Sequence, residues 1–163
     1  MSVKKHYYVP GAVYHLAFKT RSDKPLLCTD AAKTIVLDTL AAYRKKHGYR
    51  LLGYAVMDNH VHAVVATGPT STIADIVRAW KGCSCRHLQR LLGLTGSIWQ
   101  DRYADNAIQS LQELRTVLEY IHNNPVKAGI VAKARDYRWS SAQAYETNGS
   151  DASLIDKRFV AGP

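Results

Sequence analysis

The chain has 163 residues, with 22 Lys plus Arg against 13 Asp plus Glu, and therefore a formal net charge of +9. This length suits one domain with a single hydrophobic core, and the positive charge favours a polyanionic partner such as nucleic acid. No run of 18 apolar residues occurs and no apolar signal core follows the first charges, so we expect a cytoplasmic protein without membrane contact. The three cysteines lack the spacing of a structural zinc site and are interpreted as reduced thiols.

Apolar periodicity and turn residues predict strands that alternate with helices. The first predicted elements are a strand at 13–19, a helix capped by Thr29 or Asp30 that stops before Gly48, and strands at 49–56 and 59–66. A second helix, capped by Ser71 or Thr72, runs to about Leu92. A strand within 97–108 and a helix capped by Ser110 that reaches toward Asn123 complete the order. Pro125 is expected to end the last helix, because the residue before a proline disfavours helical geometry.

The order of these elements is βαββαβα. It is compatible with an α+β fold of the ferredoxin-like, split βαβ type, in which an antiparallel sheet carries helices on one face and is followed by a C-terminal helix. We expect one domain over residues 1–147. From 148 to 163 the residues are small and mixed, which indicates a candidate tail that is only loosely held.

The second predicted helix has an apolar stripe and a positive face. The stripe consists of Ile73, Ile76, Val77, Trp80 and Leu88, and the cations outside it are Arg78, Lys81, Arg86 and Arg90, with His87 beside them. Such a charge run is often only a solvated surface. In a basic chain it is also a candidate phosphate-binding face.

His60 and His62 stand two residues apart just after the predicted turn Met57-Asp58-Asn59. In a strand, alternate residues share a face, so both imidazoles point to one side and Val61 points to the other. Two neutral ring nitrogens on one face can bind one divalent ion. The alternative is a pair of ordinary half-buried histidines bonded to backbone carbonyls, which for an isolated His-X-His is the more frequent case.

Tyr120 is expected at the edge of the buried stripe of the last helix, about 100° around the axis from Ile121. Asn124 follows four residues later and shares the face of Tyr120 if the helix persists that far. The alternative is a rim tyrosine that merely packs on the sheet, which for any one of ten tyrosines is the commoner role.

Several motifs occur together and in a fixed order. They are Gly11-Ala12-Val13-Tyr14-His15, the run from Met57 to His62, Trp99-Gln100-Asp101-Arg102-Tyr103, the run from Tyr120 to Gly129, and Tyr137-Arg138-Trp139-Ser140-Ser141. In this combination the chain resembles the single-tyrosine HUH transposases of the IS200-like type, and in particular their REP-associated branch, over about residues 6–146. The family usually carries proline where this chain has Asp58, and we favour a turn role for this carboxylate over a metal role.

The resemblance implies a metal-dependent transposase that cleaves and rejoins single-stranded DNA through a 5′-phosphotyrosine intermediate. Tyr120 would be the nucleophile, and His60, His62 and Asn124 would hold Mg²⁺ or Mn²⁺. A phenol with its ordinary pKa near 10 is a poor nucleophile, so such a site has to offset charge on the phosphate. The covalent link would conserve the phosphodiester energy and allow strand transfer without ATP.

The resemblance also implies a partner, single-stranded DNA that folds into palindromic hairpins. The candidate DNA-binding residues are Lys4, Lys5 and His6 near the N-terminus and Arg78, Lys81, Arg86 and Arg90 on the second helix. Trp99, Tyr103 or Trp139 could stack on an unpaired base, although buried anchoring is the commoner role for tryptophan. The sequence does not decide between a monomer and a homodimer.

Two other functions agree with part of the pattern. A noncatalytic nucleic-acid-binding module of ferredoxin-like fold explains the charge, but it leaves the histidine pair without a role and lacks the aromatic strand motif of common RNA-binding domains. A metal-dependent nuclease would use a water molecule as nucleophile, and Tyr120 would then be dispensable.

Overall fold

The computed structural model describes residues 11–146 and the pair 155–156. The elements are β1 (Val13–Lys19), α1 (Asp30–His47), β2 (Arg50–Val56), β3 (His60–Ala66), α2 (Ile73–Leu92), β4 (Ala104–Ile108), α3 (Leu111–Lys127) and α4 (Ala142–Glu146), with single 3-10 turns at Arg21–Asp23 and Ala134–Asp136. Every predicted strand and helix is present. Within the described ranges, no helix combines the length and the apolar character needed to cross a membrane.

The four strands form one antiparallel sheet in the order β2-β3-β1-β4. This is the strand order of a split βαβ unit, since β3 lies between β1 and β2, and β1 lies between β3 and β4. The predicted α+β, ferredoxin-like fold is therefore confirmed.

The two faces of the sheet are covered by different helices. On one face, β1 residues such as Leu16 and Phe18 pack against α1 and α2, and Trp80 of α2 is fully buried there. On the other face, Val13 and Val64 pack against α3. His60 and His62 point to the α3 face, because alternate strand residues point to opposite sides and Val61 between them is buried in the other core.

Polar side chains cap the three long helices as the sequence predicts. The Thr29 hydroxyl accepts from the backbone N–H of Ala32, the Ser110 hydroxyl accepts from that of Glu113, and Thr72 forms a reciprocal capping box with Asp75. Each cap satisfies N–H groups that have no partner inside the helix.

The predicted end of the last helix before Pro125 is wrong, because α3 continues to Lys127. Pro125 is buried and lies in the last turn, where the lost N–H removes a single helical hydrogen bond. The next turn closes again, since the Ala128 N–H donates to the Asn124 carbonyl at 2.9 Å. Tyr120 and Asn124 therefore share one face of a regular helix.

Residues that follow α3 cover the outer edge of β2. The Val56 N–H donates to the Trp139 carbonyl at 2.9 Å, and the Asp156 N–H donates to the Leu51 carbonyl at 2.8 Å. Ile155 is buried in the α1 and α2 core. The predicted domain boundary at residues 147 and 148 lies outside the described residues, so the division into domain and tail stays a prediction.

Candidate active site

Strand alternation places the two histidines as predicted. His60 and His62 share the α3 face of β3, with ring centroids 4.9 Å apart, while Val61 between them is fully buried in the opposite core. Their backbone is held on both sides, because β3 pairs with β1 and with β2. The imidazoles thus project from one of the two central strands of the sheet.

A third histidine joins the pair from the neighbouring strand. His15 of β1 faces the same side, and its Nε2 lies 3.0 Å from Nδ1 of His62. The contact depends on the register of β1 against β3, in which Ala17 lies opposite His62. Sequence reasoning included His15 in a motif but assigned it no role, because spacing within one strand does not reveal cross-strand neighbours.

Helix α3 carries the tyrosine to the same cluster. Leu114, Leu118 and Ile121 bury one side of α3 on the sheet. Tyr120 is 46% exposed at the edge of that contact, and its ring centroid lies 5.7 Å from that of His62 and 6.2 Å from that of His15. The predicted edge position of Tyr120 is therefore what the structure has.

Asn124 lies on the same face of α3, one turn after Tyr120. Its side-chain Nδ2 donates to the Tyr120 carbonyl at 3.5 Å. The Asn124 side chain also forms a hydrogen bond with the imidazole of His60. The structure thus brings together all four residues predicted to form the nucleophile and the metal site.

Burial keeps the three imidazoles in their neutral form. It lowers the pKa of His62 to about 3, with smaller lowering effects from the neighbouring His60 and His15. Burial also lowers the pKa of His15. For His60, burial is again the largest effect and Lys19 lowers the pKa further, although Asp23, the Asn124 hydrogen bond and Asp58 oppose them. Neutral rings leave nitrogen lone pairs available at neutral pH.

The donor set fits a divalent ion. His60 Nδ1 lies 2.6 Å from the Asn59 side-chain oxygen and donates its hydrogen there, so in the neutral ring Nε2 of His60 is the nitrogen that carries the lone pair. His62 likewise has its Nδ1 occupied, by His15. The described residues contain no group of three His, Cys, Asp or Glu side chains arranged to hold a metal. Asn124 stays the predicted third ligand, and a set of two imidazole nitrogens and one amide oxygen would suit Mn²⁺ better than Mg²⁺.

Two lysines that sequence reasoning missed flank this cluster. Lys19 lies directly opposite His60 in the pairing of β1 with β3, and its ammonium is 3.2 Å from Asp23. Lys127 extends over the ring of Tyr120, with Nζ 5.1 Å from the centroid. Lys127 follows Tyr120 by seven residues, a helical spacing that was hidden by the expected stop at Pro125.

The carboxylate before the histidines turns away from them. Asp58 accepts from the ammonium of Lys33 at 2.6 Å, and the Lys33 side chain is only 5% exposed. The Asp58 carbonyl also accepts from the Leu27 N–H at 2.8 Å. These contacts attach the turn to α1 and support the turn role predicted for Asp58.

The cations predicted on α2 lie on the other side of the sheet from the histidines, because α2 packs on the opposite face. Arg78, Arg86 and Arg90 are exposed there. Two grooves of about 450 Å³ each border α2, and Arg78 lines both of them. DNA contact by these arginines stays a prediction.

Lys81 differs from the arginines because its ammonium is engaged within the protein. It donates to the carbonyls of Gln100, Asp101 and Arg102 at 2.7, 3.1 and 3.2 Å, and burial lowers its pKa. These bonds hold the segment that leads into β4. The other predicted DNA-binding residues, Lys4, Lys5 and His6, lie outside the described residues.

The two tryptophans considered for base stacking are buried anchors. Trp99 is 3% exposed and donates its indole N–H to Ser84 at 3.0 Å, and Trp139 is 7% exposed. Tyr103 is half-buried in one of the grooves beside α2.

The sequence matches a known protein family and individual relatives. The model of the family described as "Transposase IS200 like" matches residues 8–124. A REP-associated tyrosine transposase of Escherichia coli K12 is 23% identical over 141 residues, which cover 86% of this chain and 82% of the relative. The ISDra2 transposase TnpA of Deinococcus radiodurans is 28% identical over 104 residues, which cover 59% of this chain and 72% of the relative.

The fold has a close counterpart among solved structures. A REP-associated tyrosine transposase bound to a REP hairpin superposes with a TM-score of 0.75 at 22% identity, over 96% of this chain and 92% of that one. This similarity extends to the segments after α3, beyond the end of the family match at residue 124.

Proposed function

The chain belongs to the IS200-like transposase family, and we propose that it cleaves and rejoins single-stranded hairpin DNA through a covalent bond to Tyr120. The observation that carries this proposal is the position of Tyr120. Its ring is exposed, lies 5.7 Å from that of His62, and shares a helix face with Asn124. A role in packing alone would not require the tyrosine to lie close to two imidazoles and a side-chain amide.

In the proposed reaction, Tyr120 Oη attacks the phosphorus of a phosphodiester. The Oη–P bond forms and the P–O3′ bond breaks, which leaves a 5′-phosphotyrosine and a strand that ends in a 3′-hydroxyl. The phenol loses its proton and the departing 3′-oxygen gains one, so the step is balanced without a further reactant. Attack by a 3′-hydroxyl on the phosphotyrosine reverses these changes and joins two strands.

The metal would be held by Nε2 of His60, Nε2 of His62 and the side-chain oxygen of Asn124. When bound, a divalent ion supplies Lewis-acid polarisation of the phosphate and neutralises part of its charge. The exposed ammonium of Lys127 adds positive charge beside Tyr120, and the exposed ammonium of Lys19 is paired with Asp23. Rigid support from β1 and β2 keeps the two imidazoles in place.

The proposed substrate is a hairpin because the structurally similar transposase was solved with a REP hairpin. A net charge of +9 suits a nucleic-acid ligand. The exposed arginines of α2, Arg78, Arg86 and Arg90, would contact phosphates of the stem, while the strand to be cut crosses the opposite face beside Tyr120. Such a substrate has to pass around an edge of the sheet.

The proposal is tested with single-stranded DNA that folds into palindromic hairpins. Protein, Mn²⁺ and labelled DNA are mixed and separated on a denaturing gel. We expect a covalent protein–DNA species that is absent with Tyr120→Phe and retained with Tyr43→Phe, which removes a phenol on the opposite layer. Cleaved DNA that persists in Tyr120→Phe would instead indicate a water nucleophile, and binding without cleavage would indicate a noncatalytic module.

A further inference from the structure

The hydrogen bond between His15 and His62 joins two imidazoles across β1 and β3. Nε2 of His15 lies 3.0 Å from Nδ1 of His62, and the ring planes are inclined by 30°. A hydrogen bond between two ring nitrogens contains one hydrogen, so one ring donates and the other accepts. The direction of donation decides whether Nε2, the other ring nitrogen of His62, has a free lone pair.

In one direction, His62 carries its hydrogen on Nδ1 and donates it to His15. Nε2 of His62 then has a free lone pair. In the other direction, His15 donates, and a neutral His62 must carry its own hydrogen on Nε2, where it would block an ion. The two arrangements have the same heavy-atom geometry and opposite consequences.

We propose that His15 is a positioning residue that accepts the Nδ1 hydrogen of His62 and thereby selects the tautomer in which Nε2 binds the metal. The inference rests on the metal site proposed above. His60 has the equivalent support from the Asn59 side-chain oxygen, 2.6 Å from its Nδ1. Both metal-binding rings would then be oriented by a second residue, as is usual for histidine ligands.

A neutral acceptor suits this position. A carboxylate in place of His15 would also accept from His62, but it would place a negative charge close to Tyr120, whose ring centroid is 6.2 Å from that of His15. The proposed reaction brings an anionic phosphate to that place, and a nearby negative charge would repel it. A neutral imidazole orients His62 without repelling the phosphate.

The tautomer can be observed directly in the unmodified protein. Long-range ¹H–¹⁵N spectra of the metal-free chain at neutral pH distinguish a protonated from an unprotonated ring nitrogen. We expect His62 to be protonated at Nδ1 and unprotonated at Nε2. The opposite assignment would overturn the inference.

Metal affinity supplies an independent test, measured as Mn²⁺ binding by electron paramagnetic resonance. His15→Phe keeps a ring but removes the acceptor, and we expect Mn²⁺ affinity to fall about 10–100-fold. His15→Gln offers an amide oxygen and should recover most of that loss. His47→Phe removes a histidine that contacts Ser71 on the opposite layer and should leave Mn²⁺ affinity unchanged.

The outcomes separate the inference from the proposed function. A wild-type affinity in His15→Phe, or a loss in His15→Gln as large as in His15→Phe, would overturn the role of His15 alone. A wild-type protein that does not bind Mn²⁺, with or without hairpin DNA, would overturn the metal site and this inference with it. Near-UV circular dichroism of each variant checks that the fold is retained.

Discussion

A charge pair helps to attach the turn that leads into His60 to the rest of the molecule. The ammonium of Lys33 is buried and donates to Asp58 and to the Leu27 carbonyl, at 2.6 and 2.7 Å. Asp58 remains 46% exposed, so the pair joins a buried cation to a partly solvated carboxylate. Asp58 thus supplies the counterion of a buried ammonium, which a proline at this position could not do.

We predict that Asp58→Asn lowers the free energy of unfolding by about 2 kcal/mol, because Lys33 is left as a buried charge without a counterion. The double variant Lys33→Met with Asp58→Asn should recover most of that loss, since it removes the charge as well. Urea denaturation of the wild type, both single variants and the double variant measures the coupling. Strictly additive effects would show that the pair does not stabilise the turn.

Two glycines differ in how much space surrounds them. Gly53 of β2 lies directly under α3, and a Cβ there would overlap the side chain of Leu118 and contact Ser141 and Ile121. Gly82 lies in the middle of α2 in open space, where a Cβ would meet no atom within 4 Å. The same substitution should therefore have opposite effects at the two positions.

We predict that Gly82→Ala raises the free energy of unfolding by about 0.5–1 kcal/mol, because alanine costs less backbone entropy in a helix. Gly53→Ala should lower it by about 1–3 kcal/mol, since α3 has to shift away from a tightly packed contact. Thermal unfolding of both variants provides the comparison. A stabilised Gly53→Ala protein would mean that α3 does not pack on β2 as described.

The helices and strands were predictable because the residues that indicate them lie within each element or next to it in the sequence. Ser110 and Thr72 predicted their helices, and the alternation of His60 and His62 predicted a shared strand face. The course of α3 through Pro125 was not predictable from the rule for prolines, because Pro125 lies in the last turn of the helix, where its missing N–H removes only one hydrogen bond. His15 and Lys19 were missed as site residues because their proximity to the β3 histidines depends on which strands pair and in what register, which no short segment encodes.

Across the whole molecule, buried imidazoles make the fold sensitive to acid. Burial lowers the pKa of His122, whose Nε2 lies 2.7 Å from the Ser141 hydroxyl, to about 4, from an ordinary value of 6.5. Between these values the unfolded chain binds a proton that the folded chain does not, so stability falls as pH decreases from 6.5 toward 4. His62 extends the same effect to lower pH, since its pKa is lowered to about 3.

We expect His122 alone to account for a loss of up to about 3 kcal/mol over this range in metal-free protein. His122→Gln keeps a polar partner for Ser141 but removes the titrating ring, so its unfolding free energy should depend less steeply on pH. Denaturation curves at several pH values, recorded with a chelator present, measure both slopes. Parallel slopes for wild type and variant would show that His122 is not buried in its neutral form.

A covalent bond between Tyr120 and DNA can be detected by mass spectrometry of the protein–DNA species. Trypsin should release the peptide Thr116–Lys127, in which Tyr120 is the only tyrosine. After nuclease digestion, we predict that this peptide carries a nucleotide joined through its 5′-phosphate to Tyr120. An unmodified Thr116–Lys127 peptide recovered in full from protein that has cut its DNA would rule out the tyrosine nucleophile and assign the cleavage to a water molecule.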